Sequence, residues 1–201
     1  GGVAGPVRME YGTVQAAGLV SRRDVPEPGR LVVPEAPAAG VRPYGTGYRS
    51  VARVVRNCMI YIGNIAALQA WYEQVRRPLL ERTPHGTACL AGARKQLAAV
   101  RKERMKRLEA VVERIAQEDR SALDGALRAE HEALCAGWPE AKERLAAAGD
   151  ADCPEKAEFL AAWEAAREEG YVERVRGLPP EAKAAGTAWL QQIVKSAGLP
   201  A

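Results

Sequence analysis

The chain has 201 residues, which suits one ordinary domain or a small domain with an appendage and is enough to bury a core. Hydrophobic residues make up 47% and charged residues 27%, which excludes wholesale disorder, and no apolar run approaches the roughly 20 residues that cross a bilayer. Aromatics supply only 5% while alanine is abundant, a bias toward helix and away from an all-β sandwich. The net charge of +4 hides an asymmetry. Residues 42–120 carry 16 Lys/Arg against 7 Asp/Glu, residues 121–201 carry 9 against 14, and residues 1–41 carry 4 against 4. Such a basic middle either attracts phosphates or nucleic acid, or pairs with the acidic remainder.

Residues 1–43 are rich in Gly, Pro and Val and show no helical period. They carry a six-residue beat instead, with Gly12 and Gly18 six apart and Val14 and Val20 six apart. Short β stretches between glycine-bearing corners predict coils of a parallel β-helix, three short strands to a coil. Pro26, Pro28 and Pro34, then Pro37 and Pro43 with Gly40 between them, read as an extended exit segment.

From Tyr48 the period changes. Val51, Val54, Val55, Cys58, Met59, Ile62, Ile65, Leu68 and Tyr72 recur at three- and four-residue steps, predicting an amphipathic helix to about Arg77 that Pro78 ends or kinks. A second helix is predicted from an N-cap at Thr87 to about Glu118, with the stripe Leu90, Leu97, Met105, Leu108, Val112 and Ile115. Ser121 is the expected cap of a third helix reaching about Ala136. Pro139 is the expected opening of a short fourth, and Pro154 of a fifth ending near Gly170. Pro179 and Pro180 open a last helix to about Ser196, and Gly198 supplies the stop. The expected architecture is therefore mainly α: residues 1–43 form β coils and an exit segment, and residues 44–201 form five or six helices.

Cys58, Cys89, Cys135 and Cys153 are widely spaced and form no CxxC pair, so they read as reduced thiols of a cytoplasmic protein, with no metal site. The first residue is Gly1, and no basic-then-apolar leader follows it. A C-terminal piece of a longer protein is the expectation, with its catalytic residues upstream.

The segment Met9-Glu-Tyr-Gly-Thr-Val-Gln-Ala-Ala-Gly-Leu-Val-Ser-Arg-Arg-Asp-Val-Pro26 resembles the last coils of hexapeptide-repeat transferases. Gly12, Ala17, Gly18, Val20, Arg23, Asp24, Val25 and Pro26 match in register, and Leu31-Val-Val-Pro34 falls where that family places its exit strand. The match spans about 30 residues. It departs from the family where inward aliphatic positions are Met9, Gln15 and Ser21, and where Leu19 replaces a small residue. The helical remainder, from Ala52 through Tyr72, looks like the tail of some proteins similar to bacterial N-acetylglucosamine-1-phosphate uridyltransferase/glucosamine-1-phosphate acetyltransferase.

This resemblance implies a left-handed β-helix, a trimer with substrates bound between subunits, and a cytoplasmic transferase of sugars or nucleotide sugars. It also implies acetyl-CoA as a donor, and helices that cap the β-helix or aid oligomerisation. Arg23 matches a basic position that in some members lies near the phosphates of coenzyme A. With Arg22, Ala17 and Gly18 it forms the candidate cofactor contact: guanidinium forks onto phosphate, and small residues let a cofactor chain lie close. The competing role of these residues is two exposed arginines, one paired with Asp24, beside two coil-corner residues. The family's base is commonly a histidine on an earlier coil, so His85, in a turn, and His131, expected on a solvated helix face, are not nominated.

A different class of function remains open, a non-enzymatic helical module that binds nucleic acid or an acidic protein. Its candidate contacts are Arg49, Arg53 and Arg56 on one helix face and Arg101, Lys102, Arg104, Lys106 and Arg107 on the next helix. Trp71 and Tyr72 are the residues able to stack a base, or to pack in the core. Asn64, on a largely apolar helix, suits a hydrogen bond across a helix or subunit contact. Glu164, Glu168 and Glu169 read as a solvated acidic face.

Overall fold

The computed structural model describes residues 2–33, 50–121, 123–150, 152–166 and 170–198. The chain divides into two units, Gly1–Thr46 and Gly47–Ala201, and is mainly helical with only short strands. Among the described residues no helix is long and apolar enough to cross a membrane. The prolines of the exit segment from Pro34 onward, together with Tyr48 and Arg49, lie outside the described residues.

The first unit holds four two-residue strands, β1 (Gly2–Val3), β2 (Val14–Gln15), β3 (Val20–Ser21) and β4 (Leu31–Val32). They pair in parallel with an almost constant offset. Gly2 lies opposite Val20, Met9 opposite Val25 and Val14 opposite Leu31, offsets of 18, 16 and 17 residues. The chain therefore overlays itself at three successive places. Gly12 and Gly18 both take positive φ, 77° and 78°, at the turns that leave β2 and β3 six residues apart. Any side chain there would strain the turn, which gives the glycine beat its physical cause. Met9 and Gln15 are half-buried and Ser21 is buried. Gln15 Nε2 donates to the carbonyls of Gly2 (2.9 Å) and Leu19 (2.6 Å), so a polar residue at an inward position satisfies backbone on both passes of the chain.

In the second unit α1 (Ala52–Trp71) buries Val55, Met59, Ile62, Ala66 and Ala70, spaced three and four apart. It packs against α7 (Pro180–Ser196), α3 (Gly86–Gln117) and α4 (Gly125–Ala147). Burial of Val55, Met59 and Ile62 stabilises the unit by roughly 1.5–3 kcal/mol each. The helix does not end at Pro78. It passes through one π-helical turn, Tyr72–Arg76, into the short α2 (Arg77–Leu80), and Arg77 N–H donates to Tyr72 O five residues back. Proline has no N–H to continue the ordinary ladder, and the wider turn just before it carries the chain onward. Beyond these, α5 (Pro154–Ala165) packs on α7, and a short α6 (Tyr171–Gly177), absent from the sequence prediction, follows.

Three predicted boundaries are corrected. α3 is entered through His85 in the left-handed conformation (φ 63°), not through a cap at Thr87. Asp124, not Ser121, caps α4, its carboxylate accepting from Leu127 N–H at 2.8 Å. The expected third and fourth helices are one, with Pro139 inside α4. His131, Trp138, Ala141, Leu145 and Ala148 are all buried at helical spacing across the proline. Continuous burial of that stripe outweighs the roughly 3 kcal/mol that an interior proline costs. His131 is accordingly fully buried rather than solvated.

Charged residues close two helix ends. Glu130 of α4 accepts from the N–H groups of Val51 (2.6 Å) and Ala52 (2.9 Å) and from Ser50 Oγ (3.1 Å), capping α1 from another helix. Arg101 Nη2 donates to Leu145 O (2.6 Å), Ala146 O (3.1 Å) and Ala148 O (2.6 Å), closing the C-terminus of α4. Burial pushes the Arg101 guanidinium pKa down from its usual value.

Gly63 lies where α1 crosses α7; a Cβ there would stand 3.0 Å from Val194 Cα and O, which are backbone atoms. Gly92, inside α3, faces open space. Gly63→Ala is expected to destabilise by about 1–3 kcal/mol and Gly92→Ala to stabilise by about 0.5–1 kcal/mol, both read from urea unfolding. For Glu130, partial burial raises the carboxyl pKa, but the bonds from Ala52, Val51 and Ser50 together outweigh it and leave the value below 4.5. A depressed folded value means that the cap acts fully above pH 4.5 and is lost as pH falls through that folded value. Glu130→Ala should therefore cost about 1 kcal/mol at pH 7, and the urea midpoints of the two proteins should converge in acid.

Candidate functional site

In the first unit, residues 19–25 with Val32 and Val33 line a shallow groove that includes Arg22 and Arg23. Both arginines are exposed. Ala17 and Gly18 are exposed too and lie outside the groove lining. Asp24 holds the two passes of chain together by accepting from Arg8 N–H at 2.9 Å. The structure thus brings the two arginines to one concave surface and leaves the two small residues at the neighbouring corner.

The second unit contains a larger concave feature. The π turn delivers Arg76 and Arg77 on consecutive residues, and α2 adds Leu79 and Leu80. Opposite them α5 presents Leu160, Trp163 and Glu164, and α6 presents Tyr171 and Arg174. Arg82 and Thr83 follow α2 and complete the wall. Two adjoining lobes result, sharing Leu79, Arg82 and Arg174. Among the described lining residues there are four arginines and one carboxylate, Glu164.

The arginines are held by stacking. Arg76 Cζ lies 4.1 Å from the Tyr171 ring centroid, and Arg174 Cζ lies 5.1 Å from that of Trp163. The rings are themselves fixed. Trp71 Nε1 donates to Tyr171 Oη at 3.2 Å, and the buried Trp163 stacks on Phe159 with centroids 6.2 Å apart. Glu73, at the start of the π turn, is engaged mainly by Arg94 (Nε to Oε1 2.6 Å) and only loosely by Arg77 (3.7 Å). The bond from Arg94 holds the Glu73 carboxyl below the usual carboxylate range.

Asp150 secures the π turn from below. Its carboxylate accepts from Gln74 Nε2 (2.7 Å), Lys156 Nζ (2.7 Å) and the indole N–H of Trp189 (3.1 Å). Burial lowers the Lys156 pKa, and the bonds to Asp150 and Asp152 more than reverse that, leaving it above its ordinary value. The side chains of Lys156 and Asp150 are only 11% and 24% exposed, so the pair is partly shielded from solvent.

The other sequence candidates are dispersed. Arg53 and Arg56 are exposed on α1. Arg101 is consumed as a helix cap, Arg107 pairs with Glu103, and Arg104 stacks 5.0 Å over Tyr61. Arg101, Lys102 and Lys106 do share a shallow surface with Met105 and Glu109. Trp71 packs in the aromatic core instead of standing free to stack a base. Asn64 Nδ2 donates to Ile60 O of its own helix. His85 is exposed; Glu168 and Glu169 lie outside the described residues. The cleft residues Arg76, Arg77, Arg82, Tyr171 and Arg174 were not nominated from sequence. Three arginines within the seven residues 76–82, around Pro78, were the available signal.

Asp150→Ala leaves the Trp189 indole and the Gln74 amide without their acceptor and leaves Lys156 with Asp152 alone, and should cost about 2–3 kcal/mol. Asp150→Asn keeps one of the two acceptor oxygens, turns an amide NH2 toward the donors at the other and removes the charge, and should cost less than Asp150→Ala, about 1–2 kcal/mol. Urea unfolding followed by tryptophan fluorescence checks the order; equal losses would mean that the charge, not the acceptor, matters. Comparison of the chain with known protein families, with curated proteins and with solved structures finds no match.

Proposed function

We propose that residues 2–33 are closing coils of a left-handed parallel β-helix. On this reading the chain is the C-terminal part of a hexapeptide-repeat transferase acting on sugars or nucleotide sugars. The observation that supports this is the set of parallel pairings at offsets of 18, 16 and 17 residues. Three sides of a six-residue repeat make a circuit of 18 residues, and the beat of Gly12 and Gly18 has the same period as those sides.

Each of the two sheets contains two strands, so each presents open edges on which a further coil can pair. A polar interior of Gln15 and Ser21 suits the end of such a stack, where less apolar surface is enclosed. In this reading the β-helix trimerises, the helical unit adds oligomer contacts, and the catalytic base stands on another coil. Arg22 and Arg23 contact the phosphates of coenzyme A, with Ala17 and Gly18 beside the cofactor chain. Four unpaired thiols, Cys58, Cys89, Cys135 and Cys153, suit the reducing cytoplasm where nucleotide sugars are made.

The reading frame on the 5′ side of the Gly1 codon tests the architecture: further in-frame six-residue repeats are expected, and an unrelated sequence there overturns it. In the longer protein, Arg22→Ala with Arg23→Ala should weaken coenzyme A binding at least tenfold, measured by calorimetry. Unchanged binding removes these arginines from the cofactor site.

A further inference from the structure

We propose that the outward face of α1 is a docking surface for an acidic amphipathic helix of a partner protein. This inference does not rest on the transferase reading and uses the second unit alone.

α1 carries two stripes on different faces. The inner stripe, Val55, Met59, Ile62, Ala66 and Ala70, is buried in the core of the unit. The outer stripe is Val54, Asn57, Tyr61, Asn64 and Leu68, at steps of 3, 4, 3 and 4, and all five residues are exposed. Such steps have a mean period of 3.5 residues, that of the seam between two paired helices. From Val54 to Leu68 the stripe covers about 21 Å of helix. Val54, Tyr61 and Leu68 stay 54%, 46% and 44% exposed, although α1 already packs on α3, α4 and α7. Ile60, next to the stripe, and Val100, one turn before Arg104 on α3, are exposed apolar residues too. Single exposed apolar residues are ordinary, but a row of them at seam spacing marks an interaction face.

The charge around the stripe selects the partner. α1 contains no carboxylate, and Arg53 and Arg56 are exposed on it. Arg104 of α3 lies over the Tyr61 ring at 5.0 Å, at the middle of the stripe. Arg53, Arg56 and Arg104 make no ion pair among the described residues. The nearest acids in these elements are committed elsewhere: Glu103 pairs with Arg107, and Glu130 caps the start of α1. An apolar seam edged by unpaired arginines is complementary to a helix whose own seam is edged by Asp or Glu. A second copy of this chain on the same stripe would bring both sets of arginines together, which opposes self-pairing.

The two amides separate a helix from a lipid surface. Asn57 and Asn64 alternate with the apolar residues along the stripe, and Asn64 Nδ2 donates to Ile60 O, which leaves its carbonyl oxygen to accept. Hydrocarbon offers an amide no partner, whereas a facing helix does, and an amide in such a seam fixes its register. An RNA backbone would use the arginines but not Val54, Ile60 and Leu68.

Fluorescence anisotropy of the whole chain in low salt tests this with labelled three-heptad peptides. One has a leucine seam edged by Glu, one the same seam edged by Lys, and one the first composition in scrambled order. The Glu-edged helix is expected to bind about tenfold more tightly than the other two. Leu68→Ser should weaken it about tenfold. Val172→Ser, at a comparably exposed valine of α6, should leave it unchanged. Arg53→Glu combined with Arg104→Glu should reverse the order of the Glu-edged and Lys-edged peptides. If Leu68→Ser loses helix content by circular dichroism, this charge reversal carries the test alone. Equal binding of the three peptides, no binding of the Glu-edged one, or an unchanged order after the charge reversal would overturn the proposal. A dimer in analytical ultracentrifugation that Leu68→Ser dissociates would give the face to a second copy instead. Capture by phosphatidylserine vesicles with no peptide bound would give it to a membrane.

Discussion

Trp189 is fully buried in a core built largely from alanine and medium aliphatics, and its indole N–H cannot go unpaired there. The bond from that N–H to Asp150 is the constraint on which much of the helical unit depends. Once a carboxylate is placed beside the core it needs a cation, which Lys156 supplies, and it has room for a further donor, Gln74. One side chain in the α4–α5 connection thereby ties α7, α5 and the π turn together. The remaining aromatic residues are arranged around the same point. Phe159 lies 5.9 Å from Trp189 and 5.4 Å from Trp71, and Trp163 extends the cluster to Tyr171. A large, directional aromatic core compensates for the small alanine side chains that make up so much of the helix interfaces.

The long helices were legible because their burial is periodic. α3 and α7 fall within one or two residues of the spans expected from their stripes and from Pro180. The largest error came from treating local punctuation as stronger than packing, while the starts of α3 and α4 were misplaced by one local terminus signal read for another, Thr87 for His85 and Ser121 for Asp124. Pro139 reads as a helix start only if its roughly 3 kcal/mol penalty is considered alone. The stripe from His131 to Ala148 runs through it without a break, and several buried side chains outweigh one missing hydrogen bond. Pro78 was absorbed differently, by a π turn, and no hydrophobic pattern encodes that choice. Cross-helix caps are similarly silent in sequence. Glu130 and Arg101 act on backbone groups 78 and 44 residues away in the chain, so no short-range motif announces them.

The N-terminal unit shows the complementary case. Its glycine beat was legible because positive φ at Gly12 and Gly18 is a local steric demand, readable from residue type. Pairing between residues 16 to 18 apart follows from that beat once the turns are regular. The inward Gln15 departs from an aliphatic pattern, yet its two bonds to the carbonyls of Gly2 and Leu19 give it a structural use. A half-buried polar residue is tolerable where it satisfies backbone carbonyls that would otherwise stay unpaired.

The basic middle of the chain, 16 Lys/Arg against 7 Asp/Glu, resolves into separate uses only when the fold is known. Arg101 is spent on the end of α4, Arg94 on Glu73, and Arg107 on Glu103. These three are among the eight Lys/Arg of α3, so part of its basic charge is already engaged within the chain. The cleft draws instead on residues 76–82 and on Arg174, which belongs to the acidic half by sequence. Net charge per segment left two readings open, attraction of polyanions or pairing within the chain, and the fold shows pairing for several of these arginines while it gathers others in a cleft. At the cleft, Arg76 and Arg174 lie over the rings of Tyr171 and Trp163, and both rings are anchored in the aromatic core around Trp189, so the position of these two cations follows from the packing of the core and not from the charge of their segments.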